Sequence, residues 1–427
     1  MGKAKFALRM LKLEYQKTFF YGLSLVCSSA VIFLFFNYMD NNIIGNEIST
    51  GMGFSNLLSL AIMLIASATA CFANGFFLSK KNEEIGIYTM SGAGVGGVSI
   101  YLIVQNFAII LAAIPLGFLI GYLANPILNQ IVYSSLHITG NLWHISTQAI
   151  VMSIITLLTQ TAALTVVNAG YAYRHDILQL LHFNNTMKAE APASSIRMPI
   201  IVYWVTALIP LYVFFQVPVA SNDTMVFLIV SCIGLYGISG LFKRGLPQLF
   251  EFLQRHFNMN HKIRLIGFGN LSYSIARTAT LIKIIIVAII CMICLCITYH
   301  DDPSNSTLIY FSYGVIIFLM TFCIVYRVIV ENSSNGPLFE SLYKLGFVRK
   351  DLKRIMRFET LGLYGIILFI PTLYIGIILF IYIQHGLLPI AIAVNLVLAY
   401  LIPIVLVGLI TYQNYKKVIF NYIEGGH

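Results

Sequence analysis

Apolar runs of about twenty residues recur along this chain, near 18 to 38, 54 to 78, 98 to 122, 148 to 172, 198 to 217, 225 to 242, 278 to 299, 308 to 330, 360 to 383 and 388 to 411. A hydrocarbon core about 30 Å thick takes about 20 helical residues to cross, so each run predicts a membrane-spanning helix. The segments between them are of two alternating kinds. Those at 1–17, 79–97, 173–197, 243–277, 331–359 and 412–427 hold essentially every Lys and Arg, with Lys283 and Arg327 at the inner edges of their runs. The others hold no basic residue and carry Asp40, Glu47, Asp223, Asp301 and Asp302. Ten spans place both termini on one side, and the positive-inside rule makes that side the cytoplasm.

Composition narrows the class further. With 59% hydrophobic and 10% charged residues and a mean hydropathy of +0.84, a soluble fold would expose more apolar surface than it could cover. The net charge of +10 faces anionic headgroups and whatever docks on the inner surface, so no nucleic-acid partner is expected. MGKAKFALRMLKLEYQK leads into a full-length run with no small-residue cleavage site, so the first helix is expected to stay in place. All seven cysteines lie inside predicted spans, which excludes a disulfide framework, and the CMICLC cluster at 291–296 has no partner His and reads as apolar filler.

The inner segments are patterned. In FESLYKLGFVRKDLKRIMRFE, 339–359, apolar residues recur at helical spacing between Lys344, Arg349, Lys350, Lys353, Arg354 and Arg357, which predicts an amphipathic element in the interface. Residues 246–277 read similarly, broken by Gly267 and Gly269, and residues 1–17 form a third such element. An offset of 254 residues lays 82–107 over 336–361, matching Gly92 to Gly346 and Gln105 to Glu359, with Tyr88 one position from Tyr343. The predicted organisation is an all-α polytopic protein of about ten spans ordered 4 + 2 + 4. Its parts are an amphipathic N-terminal helix at 1–17, a four-span repeat at 18–175, a connecting helix pair at 176–245, an amphipathic segment at 246–277, a second four-span repeat at 278–411 and a tail at 412–427.

Few side chains carry chemistry. No G-x-x-x-x-G-K-[ST] phosphate loop occurs, so the chain is not expected to bind ATP or to act as an enzyme alone. Segments 79–97 and 339–359 are the natural places for an ATPase to push, being short helices joined to spans; lying on anionic lipid is the alternative. Glu359, where the second repeat enters the membrane near Arg357, Arg354 and Lys353, is either salt-bridged locally or a coupling contact. Lys283 snorkels to the interface. Gln160, Thr161, Asn168 and Asn395 either line a passage or stitch helices together. His137, His144 and His300 have no fixed spacing and predict no metal site, while SGAGVGG, 91–97, permits a close approach or a joint.

EEIGIYTMSGAG with Gln105, and FESLYKLGFVRKDLKRIMRFE with Glu359, resemble the signature of the FtsX-like permeases, the membrane subunits of MacB-type (type VII) ABC transporters. That signature is a charged inner helix ending in an aliphatic-Gly turn, followed by an acidic residue just inside the next span. Within the family, ten spans in 4 + 2 + 4 order are similar to the BceB (bacitracin-resistance) type. Two departures stand out: only YHDDPSNST occupies the place of that type's large extracellular domain between spans seven and eight, and Gln105 replaces an acid. The resemblance implies two FtsX-like four-helix repeats and a cytosolic ABC ATPase partner in two copies, which binds ATP and Mg while this chain binds no cofactor. It further implies ATPase-coupling residues at Glu83, Glu84, Tyr88, Gly92, Glu340, Tyr343, Lys344, Gly346 and Glu359.

The expected function is a permease of a bacterial plasma membrane, embedded among membrane lipids, that exports or expels an amphipathic cargo such as an antimicrobial peptide or a lipid-linked compound. Asp301 and Asp302 would attract cationic cargo. A second reading is a transmitter or sensor that relays ATPase motion to a membrane partner such as a histidine kinase. A third, an ATP-independent secondary transporter, is disfavoured because the spans lack the buried Asp, Glu or Lys that ion coupling usually requires.

Overall fold

The computed structural model describes residues 3–13, 15–41, 52–137, 139–174, 199–216, 262–298, 303–386 and 388–425, with part of 230–249. Among the described residues the regular structure is helical, without strands. Helix formation follows from the medium, since a backbone in hydrocarbon must satisfy its own hydrogen bonds. Seven stretches are long and apolar enough to cross a membrane: Thr18–Met39, Leu58–Ser79, Val95–Ser134, Thr147–Tyr171, Ile309–Val328, Arg349–Gln384 and Ile390–Asn421. Of the other three predicted spans, the run at 198–217 lies in a helix with the shorter apolar stretch Ile200–Val213. The run at 278–299 lies almost wholly inside Lys262–Thr298, and that at 225–242 falls largely outside the described residues.

The chain divides into two compact units, Met1–Ile196 and Arg197–His427. The first contains α1 (Lys3–Leu13), α2 (Tyr15–Met39), α3 (Met52–Lys80), α4 (Asn82–Met90), α5 (Val95–Leu136) and α6 (Thr147–Arg174). Helix α2 is its axis, with 67% of its apolar window buried against 28% for α5 and 22% for α6. Lipid tails are as apolar as leucine, so such helices associate through close packing and hydrogen bonds. Both are visible here. A Cβ on Gly117 of α5 would collide with Ser29 of α2, and one on Gly121 would come within 2.7 Å of Phe33. Tyr21 donates to Asn106 at 2.6 Å, and the Asn74 amide donates to Asn168 at 2.6 Å, stitching α3 to α6. Of the other polar span residues, Thr161 donates to the Leu157 carbonyl of its own helix and Asn395 is exposed.

The connection between the apolar runs at 98–122 and 148–172 is mostly helical, because α5 continues to Leu136 and ends on His137 in the left-handed conformation. Asparagines hold this extension. The Asn37 amide donates to Asn125 at 2.9 Å and to the His144 carbonyl at 3.0 Å, while Asn129 donates to the Leu142 carbonyl at 2.9 Å. The Ser146 hydroxyl closes on Asp40.

The second unit contains α7 (Ile200–Gln216), a π-helical turn at Leu241–Gly245, α8 (Lys262–Thr298), α9 (Pro303–Ser334), α10 (Gly336–Lys344), α11 (Arg349–Gln384) and α12 (Ile390–Gly425). Its central helix is α8, in which Ile282, Ile285, Ile286, Ala288, Ile289 and Ile290 are all buried. The structure corrects one expectation here. Gly267 and Gly269 do not break the 246–277 segment: α8 runs through both, and a Cβ on Gly267 would meet the Phe358 ring of α11 at 2.7 Å. Arg327, one residue from the end of the span Ile309–Val328 as expected, is fully buried, with Nη2 donating to the Ser274 carbonyl at 2.6 Å; a buried guanidinium requires such acceptors. Both long helices that follow a short one contain proline, Pro115 and Pro126 in α5 and Pro371 in α11.

Candidate functional site: two helix–turn–helix joints

The segments 82–97 and 336–351 adopt the same backbone at the 254-residue offset. Helix α4 spans Asn82–Met90 and α10 spans Gly336–Lys344, so both their first and their last residues correspond. The predicted amphipathic element at 339–359 is therefore two pieces, a short helix and the first turns of α11. The break is a glycine C-cap. Gly92 has φ +94° and Gly346 φ +91°, where a side chain is strained by about 1–2 kcal/mol. In the first joint Gly92 N–H donates to the Thr89 carbonyl at 3.0 Å and Ala93 N–H to that of Tyr88 at 3.4 Å. In the second, Gly346 donates to Tyr343 at 3.0 Å and Phe347 to Leu342 at 3.2 Å. This pairing of a short bond with one that reaches a turn further back is the Schellman motif. Extended residues then open the long helices, Gly94 at φ −67°, ψ 170° and Val348 at φ −75°, ψ 150°.

Beneath each joint lies a core built from matching positions. The first has Leu78, Ile85, Val98, Tyr101 and Leu102, closed by Ala7 of α1 and partly buried Tyr88 and Tyr171. The second has Phe339, Leu352, Ile355 and Met356, closed by Tyr415 and Ile419 of α12 with partly buried Ile266 and Leu342. Ile85, Val98, Tyr101, Leu102 and Tyr88 thus correspond to Phe339, Leu352, Ile355, Met356 and Leu342.

The wiring of the two cores differs. In the first, the Lys81 ammonium is buried and bonds both oxygens of Glu84 at 2.8 Å, and the Tyr101 hydroxyl donates to the same carboxylate at 2.7 Å. Tyr88 is not a free docking residue, since its ring stacks on Phe6 of α1 at 5.6 Å and packs on Tyr101 at 5.4 Å. Gln105, buried, donates to the Ala7 carbonyl at 3.1 Å. In the second, its counterpart Glu359 is also buried and accepts from the Tyr415 hydroxyl at 3.1 Å, which in turn accepts from the Asn335 amide at 3.2 Å. Glu340 and Lys344 form a surface pair at 2.7 Å, with Lys344 73% exposed, and such a pair contributes little. Glu83 lies in α4; Asp301 and Asp302 lie outside the described residues.

Around each turn, apolar side chains point outward. Ile87 and Met90 are 66% and 67% exposed in the first joint, and Leu345 and Val348 are 77% and 60% exposed in the second, beside half-exposed Tyr343. Tyr343 is a residue the resemblance singled out and Leu345 a member of the 339–359 amphipathic pattern, whereas Ile87, Met90 and Val348 carried no sequence signal of their own. Among the described residues no three His, Cys, Asp or Glu side chains converge as a metal site.

No family model matches the chain. Over 177 residues it is 22% identical to the bacitracin export permease protein BceB of Bacillus subtilis (strain 168), a region covering 40% of this chain and 27% of that protein. The chain is a multi-pass, all-helical membrane protein with a distant similarity to an export permease.

Proposed function

We propose that this chain is the membrane subunit of an ABC transporter of the FtsX-like type, moved by a separate cytosolic ATPase that meets the two joints with one copy each. The observation that carries the reading is the pair of superposable short helices, each rigidly capped, each leading directly into a long apolar helix, and each presenting apolar side chains around its turn. Exposed Ile87, Met90, Leu345 and Val348 suit an apolar receiving cleft, the two sets falling on non-matching positions around turns of like backbone, and two such joints suit two identical subunits. The spans follow the 4 + 2 + 4 order, with the basic segments and both termini on the cytoplasmic side of a bacterial plasma membrane. The cargo is an amphipathic molecule; the similarity to a bacitracin export permease favours a peptide antibiotic. The acidic pair Asp301 and Asp302 would draw in a cationic one by long-range attraction.

The test has two parts. With native cysteines replaced, Asn141→Cys is expected to react with an impermeant thiol reagent on intact cells and Ser341→Cys only after permeabilisation; labelling of Ser341→Cys from outside would reject the topology. Purified with its ATPase in vesicles, the complex is expected to move a bacitracin-like peptide on ATP addition. ATP hydrolysis without peptide movement would reject the exporter.

A further inference from the structure

In each unit the last long helix reaches back to the start of the short one through a tyrosine hydroxyl. The Tyr171 hydroxyl on α6 donates to the Asn82 Oδ1 at the first residue of α4, at 2.5 Å. Tyr415 on α12 accepts from Asn335, the residue that caps α10, at 3.2 Å. The two tyrosines sit near the basic end of the final helix of their units, and the asparagines differ in register by one residue. In the first unit the capping position is taken by Lys81, which turns to Glu84, and the next residue makes the bond. The same contact has thus been built from non-matching positions. A contact needed only for burial would not require a polar pair here, since buried polar groups cost free energy unless mutually satisfied.

We propose that Tyr171 and Tyr415 are positioning residues that latch each short helix to the last helix of its unit, so that a displacement of the short helix carries two long helices rather than one. Each joint already continues into α5 or α11 through the glycine turn. The latch adds α6 or α12. In the second unit the chain of bonds runs further: Asn335 donates to Tyr415 and Tyr415 to Glu359 on α11, tying three helices through one phenol. In the first unit Gln105, at the position of Glu359, bonds the Ala7 carbonyl instead, and the Tyr171 to Asn82 contact crosses between two helices.

The proposal rests on the ATPase-driven reading, and the experiment separates the two. Probes are placed on exposed Ser341 and Lys417, and their separation is measured by spin-label or fluorescence distance in the full complex with and without ATP. In the wild type, ATP is expected to leave this distance narrow and unchanged, while the Tyr415→Phe complex still assembles but shows a second, ATP-dependent distance. Tyr415→Phe removes two hydrogen bonds, to Asn335 and to Glu359; loss of the one to the short helix is worth roughly a fivefold change in the latched fraction, and peptide moved per ATP is expected to fall by a similar factor. Tyr412→Phe, one turn earlier, serves as control. A Tyr415→Phe complex that melts earlier yet keeps a single distance and an unchanged peptide-to-ATP ratio would show Tyr415 to be structural packing and overturn the latch. Failure of the wild-type chain to assemble with the ATPase would instead reject the functional reading, and the latch with it.

Discussion

The first and second joints share a backbone and differ in what holds them. Their helix ends, glycine caps and core positions coincide at one offset, yet the first is locked by an ammonium–carboxylate pair at the start of α4 that Tyr101 joins, with Tyr171 bonding Asn82 separately, and the second by an amide, a phenol and a carboxylate linked in one chain. The difference separates two jobs. Backbone geometry places a short helix at the end of a long one and is set by glycine and by apolar spacing. The polar wiring decides which neighbours follow when that helix moves, and it has diverged while the geometry has not.

Removing one member of the first joint's ion pair gives the largest expected effect. Lys81→Ala leaves Glu84 buried without its cation and is expected to cost about 3–5 kcal/mol, whereas Asn335→Ala at the matching position removes one neutral donor and costs about 1 kcal/mol. Thermal unfolding in detergent compares them, and equal losses would erase the distinction. Gly92→Val and Gly346→Val come next, each forcing a branched side chain into the left-handed region at about 1–2 kcal/mol. Here the two joints are expected to respond alike, and a one-sided loss would mean that the turns are not equivalent. Glu359→Gln makes the second joint resemble the first; the amide oxygen still accepts from Tyr415, so a loss of about 1 kcal/mol or less is expected, read by the same unfolding measurement. The smallest effect belongs to the surface pair. Lys344→Ala is expected to change stability by no more than about 0.5 kcal/mol, and that difference should vanish in high salt.

The joints were legible in the sequence because their determinants are local. Gly92 and Gly346 fall opposite each other at the offset and the resemblance supplies the aliphatic-Gly turn, although the 339–359 pattern by itself reads as one continuous element. The offset then locates Glu359 opposite Gln105. Helical class and repeated crossing of the membrane were equally readable, since a run of twenty apolar residues has few other uses. Of the ten expected spans, seven have described counterparts of sufficient length and apolarity. The wiring was not legible, because Tyr171 and Asn82 are 89 residues apart and Asn335 and Tyr415 are 80 apart, and nothing near a tyrosine in sequence names its partner. Gly267 misled for a related reason: a glycine that makes room for Phe358 across a helix crossing looks, along the chain, like one that ends a helix.

The prolines of the two long helices bear on how far a push can travel. Pro115 stands 20 residues beyond the start of α5 and Pro371 22 beyond the start of α11, so each lies about 30–33 Å along its helix from the joint. A proline withholds one rung of the hydrogen-bond ladder and crowds the carbonyl a turn before it, which makes that level the first soft one along the helix from the joint, with Pro126 a second in α5. Force applied at the glycine turn is then absorbed at a similar depth in both units. Under the proposed ATPase-driven reading the near half of each rod would swing while the far half stayed where its own packing holds it, and in the first unit the asparagine knot around Asn37, Asn125 and His144 would supply that hold.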